Sequence, residues 1–142
     1  MREILFRGKG DKKYNDGMWY FGVPIRCYDG DWQICTNNSK RTVIPETIGQ
    51  YTGLKDKNGT KIFEGDIVKC VDVNNGGSFT AIVSFGNPNH EYNWGFQLVQ
   101  MGGDNLNTDI LLWVDMEEAG AYIEVIGNIY DNPELLGGDG SA

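Results

Sequence analysis

Along the 142-residue chain, short apolar runs alternate with polar positions, and glycine-bearing polar pairs separate one run from the next. Asp16-Gly17, Asp29-Gly30, Asn58-Gly59 and Asn75-Gly76-Gly77 all sit between β-prone stretches. Such pairs reach positive φ at low cost, which two-residue hairpin turns require. Asp29-Gly30 therefore predicts a hairpin from residues 18–28 and 31–36. The Asn75-Gly76-Gly77 cluster predicts a second, from residues 66–73 and 78–85. In the latter, Phe79, Ala81, Val83 and Phe85 share one face while Thr80, Ile82 and Ser84 share the other, the period of a half-buried strand. Trp94, Phe96 and Leu98 alternate in the same way with Gly95, Gln97 and Val99. Residues 110–114 and 121–130 complete the expected strands, which place Trp32, Trp94 and Trp113 in the core.

Helical signals are short. Pro45 to Gly49 can make one turn. Asp115 to Ala119 can make another, with Asp115 as cap and Gly120 as stop. The expected fold is mainly β with minor α: a small bent sheet or SH3-like barrel in the second half, plus an N-terminal hairpin region. A single domain over residues 1–136 is expected, with possible sub-structure at 1–49 and 50–136, and a flexible tail at 137–142.

Composition narrows the function classes. With 40% apolar and 12% aromatic residues the chain can pack a globule, so neither disulfides nor metals are needed to hold it. The net charge of −8 lowers the expectation of nucleic-acid or membrane binding, because both draw affinity from cations. Cys27, Cys35 and Cys70 are odd in number and form no CxxC, which argues for reduced thiols rather than a disulfide framework or zinc site. The N-terminus lacks a signal-peptide apolar region, and no apolar run reaches the roughly 18 residues of a membrane span.

The densest segment is residues 50–69, Gln-Tyr-Thr-Gly-Leu-Lys-Asp-Lys-Asn-Gly-Thr-Lys-Ile-Phe-Glu-Gly-Asp-Ile-Val-Lys. A strand end at Gly53-Leu54 leads to a polar turn at Asp56 to Gly59. Glu64-Gly65-Asp66 then turns the chain into the next strand, with Asp66 placed to accept from nearby backbone N–H groups. This segment resembles the signature of the YopX family of bacteriophage and prophage proteins, through Tyr51, Gly53, Leu54, Asn58, Gly59, Glu64, Gly65 and Asp66. The opening Arg2-Glu3-Ile4-Leu5-Phe6-Arg7 and a closing block from Glu124 to Leu136, with Gly127, Asn128 and Pro133, resemble the family's ends. The resemblance implies a phage or prophage origin, a bacterial cytoplasm and a small self-associating protein. It implies no reaction and no cofactor.

Candidate chemistry is sparse. The one histidine, His90, lies in a polar stretch with Tyr92 and Trp94 and could serve as a base or grip a ligand or partner. Turn-forming Asn, Gly and Pro residues account for the same stretch as a solvated hairpin loop. Glu64 and Asp66 could act as paired carboxylates or hold a hard cation. Stabilising the turn is the plainer role, and no calcium-loop spacing accompanies them. Gly8 to Lys13 lacks the spacing of a phosphate-binding loop. The lysines of 9–13 and 55–61, the former near Tyr14, Trp19 and Tyr20, could grip single-stranded nucleic acid. The leading expectation is a non-enzymatic interaction or self-assembling module, without catalytic, cofactor or metal residues. It would be a homo-oligomer or bind a host or phage protein. Nucleic-acid binding and an enzyme centred on the His90 loop are the alternatives.

Overall fold

A computed structural model describes residues 4–74, 76–86, 95–100, 107–115 and 120–136. The protein is mainly β, with two antiparallel sheets and, among the described residues, no helix of seven or more residues. The chain forms two compact units, Met1–Gly53 and Leu54–Ala142.

In the first unit β1 (Phe6–Lys9), β2 (Trp19–Arg26), β3 (Trp32–Cys35) and β4 (Lys40–Val43) form a meander, and β5 (Gly49–Lys55) pairs on the other side of β1. The Asp29-Gly30 hairpin forms as its residues predict, with Arg26 opposite Trp32 and Gly30 at φ 95°. The sheet curls until the ends of β1 and β4 meet. Gly10 bridges Val43, the Asp11 N–H donates to the Thr42 carbonyl (3.0 Å), and the Ile44 N–H donates to the Lys9 carbonyl (2.9 Å). The curl needs a small inner face. A Cβ on Gly8 would lie 3.0 Å from Val43, and one on Gly22 would lie 2.3 Å from the Cys35 carbonyl oxygen. Ile34 and Val43 fill the space that these glycines leave, and both are buried. A 3₁₀ turn at Pro45–Thr47 then redirects the chain. The buried Thr47 hydroxyl accepts from the Lys9 N–H (2.8 Å) and donates to the Ile44 carbonyl (2.6 Å).

The second unit begins inside β5. Leu54 and Lys55 lead through the Asn58-Gly59 turn into β6 (Lys61–Phe63). A five-stranded sheet follows in the order β10-β9-β8-β7-β11, from β7 (Asp66–Asp72), β8 (Gly77–Phe85), β9 (Phe96–Gln100), β10 (Asn107–Asp109) and β11 (Ala121–Asn128). The second expected hairpin is β7–β8, with Asp72 opposite Gly77. One face carries Val68, Cys70, Ala81, Val83, Phe96, Leu98 and Ile123 as a buried cluster, so the two-residue period at Ala81, Val83 and Leu98 holds. Gln97, expected on the polar face of its strand, is instead fully buried.

Residues 110–114, expected as a strand, are a correction. Ile110–Asp115 is a short helix, α1. An unbroken apolar run has no period of its own, and the helix places Ile110 and Trp113 three apart on one side. Ile110 joins the buried cluster, while Trp113 packs against it edge-to-face on Phe79, with ring centroids 5.2 Å apart. The Trp113 indole N–H donates to the Tyr122 carbonyl (3.1 Å). Asp115 lies within α1, where a cap beginning a helix was expected, and residues 116–119 of that expected turn lie outside the described residues.

Candidate functional site

Two carboxylates of the central segment, Asp56 and Asp66, accept hydrogen bonds from backbone. Asp56 is 8% exposed, and its Oδ1 accepts from the N–H groups of Asn58 and Thr60 (both 2.9 Å). Its Oδ2 accepts from the Val125 N–H (2.9 Å). The neighbouring Lys57 N–H donates to the Ile123 carbonyl (3.1 Å), and Asn58 Nδ2 reaches Glu124 (3.4 Å). Since β11 is an edge of its sheet, this turn satisfies the edge's outward backbone groups at Ile123 and Val125. Asp66 is 2% exposed and accepts from the Phe63 N–H through Oδ2 (2.8 Å). Between Glu64 and Asp66 lies Gly65, at φ 92°, whose N–H donates to the Val83 carbonyl (2.8 Å) and whose carbonyl accepts from Ile129 (2.9 Å). These contacts make the Glu64–Asp66 turn a structural junction.

The closing block behaves alike. Asn128 Oδ1 accepts from the N–H groups of Tyr130 (3.0 Å) and Asp131 (2.9 Å), and the Asn128 N–H donates to Asn132 Oδ1 (3.2 Å). A Cβ on Gly127 would meet Asn132 Oδ1 at 2.5 Å, which explains the glycine. Pro133 opens a final 3₁₀ turn, Pro133–Leu136. Tyr51 is buried, and Gly53 and Gly59 take φ of 89° and 84°. His90, Tyr92 and Trp94 lie outside the described residues. Among the described residues no cluster of three or more His, Cys, Asp or Glu side chains could hold a metal ion.

The two lysine groups fall in different units, Lys9–13 in the first and Lys55–61 in the second. Lys57 Nζ sits 4.2 Å over the Tyr122 ring, beside a cleft of about 40 Å³, far below the scale of an organic ligand. The first unit offers more. Its loop from Asp11 to Met18 is tied down at many points. Asp11 accepts from the N–H groups of Tyr14 (2.9 Å), Asn15 (3.0 Å) and, through Oδ1, Lys13 (3.0 Å). Asn15 donates from Nδ2 to the Thr42 carbonyl (2.8 Å) and accepts from the Gly17 N–H (3.0 Å). The loop therefore holds a fixed position against β4. Between them lies an open polar cleft of about 310 Å³, lined by Tyr14, Asn15, Asp16, Tyr20, Lys40, Arg41 and Thr42. Arg41 stands 5.8 Å over the Tyr20 ring, and the Tyr20 hydroxyl donates to Asp16. That bond holds the Asp16 carboxyl below its ordinary value and raises the Tyr20 phenol.

The sequence pointed to Tyr14, Tyr20 and the Lys9–13 lysines but missed Lys40 and Arg41. They reach the cleft only because β4 closes onto Gly10, a contact 33 positions apart in the chain. Charge sharpens the contrast between the units. Residues 1–53 carry eight Lys/Arg against six Asp/Glu, a net +2, and residues 54–142 carry four against fourteen, a net −10.

On the outer face of β2, Phe21, Val23 and Ile25 are 45%, 55% and 46% exposed. Their strand-mates Gly22 and Pro24 point to the inner face, so this apolar stripe lies opposite the core.

The model of the YopX family, described as YopX protein, matches residues 7–137. No curated protein matches the chain.

Proposed function

The chain belongs to the YopX family, and on that footing we propose that it is a non-enzymatic phage accessory protein that acts by self-association. The outer stripe of β2 carries this reading. Three large apolar side chains in register on one strand are an unusual exposure for a monomer, and such patches mark interaction surfaces. The outward backbone of β11 at Ile123 and Val125 is already bonded, which favours association through a sheet face over pairing at that edge. An uncharged stripe is complementary to itself, as a two-fold interface requires. Asp56 and Asp66 are engaged with backbone N–H groups, which supports structural roles for these two carboxylates.

Light scattering over a range of concentrations and salt tests the reading. A dimer is expected that tightens with salt, because each copy carries −8 and salt screens the repulsion. Val23→Glu places a charge in the stripe at an exposed position, so it should leave thermal stability unchanged and give a monomer. A strict monomer up to about 1 mM, the concentration matching roughly −4 kcal/mol of binding, refutes the proposal. A host or phage protein captured by that face without any dimer would replace the second copy as the occupant.

A further inference from the structure

We infer that the cleft between the Asp11–Met18 loop and β4 binds a nucleotide unit, an aromatic base joined to a phosphate, with Tyr14 stacking on the base and Lys40 and Arg41 holding the phosphate. The inference is independent of the self-association proposed above. Its first support is size and shape. A cleft of about 310 Å³ falls at the lower end of small-ligand sites, and it is open to solvent.

The second support is the set of groups lining it. Tyr14 is 58% exposed and presents a π-face that any base can stack on. Its backbone N–H is bonded to Asp11, so the ring is carried by an ordered loop. Lys13 Nζ lies 6.0 Å from that ring. Arg41 and Lys40 are exposed neighbours at the start of β4 and line the side of the cleft opposite the loop. Asp16 is the one acid in the lining, and its carboxylate already accepts from the Tyr20 hydroxyl and the Met18 N–H (3.1 Å). Lys40 and Arg41 then outnumber it.

The third support is pre-organisation. A Cβ on Gly10 would lie 2.3 Å from Asn15 Oδ1 and 2.7 Å from the Tyr20 ring, so the loop and ring rest directly on the Gly10 backbone. Gly17 is buried at φ 74°, with Lys12 packed over it. Little ordering is left for a ligand to impose. Residues 1–53 by themselves carry a net +2, a local balance more favourable to an anion than the whole chain's −8.

The test is fluorescence anisotropy of the full chain with a labelled thymidine oligonucleotide of about fifteen nucleotides, a length that exceeds one stacking site. Binding is expected at about 50 mM salt and should weaken roughly sevenfold by 200 mM, as the two phosphate contacts of Lys40 and Arg41 on a single strand imply. Arg41→Ala should reduce that salt effect to roughly threefold, since it removes one contact. Tyr14→Ala should weaken binding about tenfold while leaving the salt dependence intact. Competition by thymidine monophosphate separates two sources of the same chemistry. Displacement by the mononucleotide assigns the cleft to free nucleotides, and failure to displace assigns it to single strands. No anisotropy change up to about 100 µM protein at low salt, with no heat on titrating the mononucleotide, overturns the inference. So does binding that both variants leave within twofold. Both residues are exposed, so melting curves of the variants should match the parent and exclude misfolding as the cause.

Discussion

Replacing Asp56 by asparagine keeps the side chain's shape but changes the chemistry of its outer atom. Oδ1 can still accept from the Asn58 and Thr60 N–H groups, without a full charge. The amide nitrogen would face the Val125 N–H, donor against donor. Bonds to a neutral acceptor are about half as strong as those to a carboxylate. The orphaned Val125 N–H adds a cost of about 1–3 kcal/mol. Together these suggest a loss of about 2–4 kcal/mol for Asp56→Asn. Asp56→Ala strands three N–H groups and should lose roughly 3–6 kcal/mol, a large part of the 5–15 kcal/mol that holds a typical domain. Urea titration followed by tryptophan fluorescence measures the first number. Hydrogen exchange supplies the residue-level check, because the Val125 amide should lose the most protection in Asp56→Asn and the Asn58 and Thr60 amides less. A midpoint shift worth less than about 0.5 kcal/mol, with Val125 still protected, would refute the assignment of Asp56 as the group that seals β11.

Gly127→Ala drives a Cβ into Asn132 and should cost about 1–3 kcal/mol. Asn132→Ala removes the obstacle, so the double variant should lose clearly less than the sum of the two, and strict additivity by thermal melts would count against the contact. Burial pushes the Cys70 thiol up to about 12, while Cys27 and Cys35 are only half-buried. At pH 8 a thiol reagent should label two cysteines in the native protein and the third only after denaturation; three fast-reacting thiols would contradict the fold. Because the folded value is raised, the thiol's stabilising contribution is complete below about pH 9 and is lost as pH climbs towards 12. Alkaline unfolding should therefore steepen across that window.

Local signals in the sequence were strong where one turn decided the outcome. The Asp29-Gly30 turn and the β7–β8 hairpin follow from residues that tolerate positive φ, flanked by strand formers. The central block was recognisable as turns, because buried Asp side chains there bond mainly to near neighbours. What the sequence hid was set by non-local contacts. The apolar run at Ile110 carries no period, so only packing against Phe79 and Ile123 selects a helix over a strand. In β2 the alternation misleads. Phe21, Val23 and Ile25 alternate as a core face would, yet the face that packs is the one bearing Gly22, whose missing side chain leaves room for Ile34. The same inversion produces both candidate surfaces. Turning the small residues inward lets the sheet curl until Gly10 meets Val43, and that closure carries Lys40 and Arg41 to the loop of Tyr14. It also leaves Phe21, Val23 and Ile25 outside. The cleft and the stripe are thus two consequences of one packing choice. They predict opposite responses to salt, with nucleotide binding weakening and self-association tightening, so one salt series can separate them.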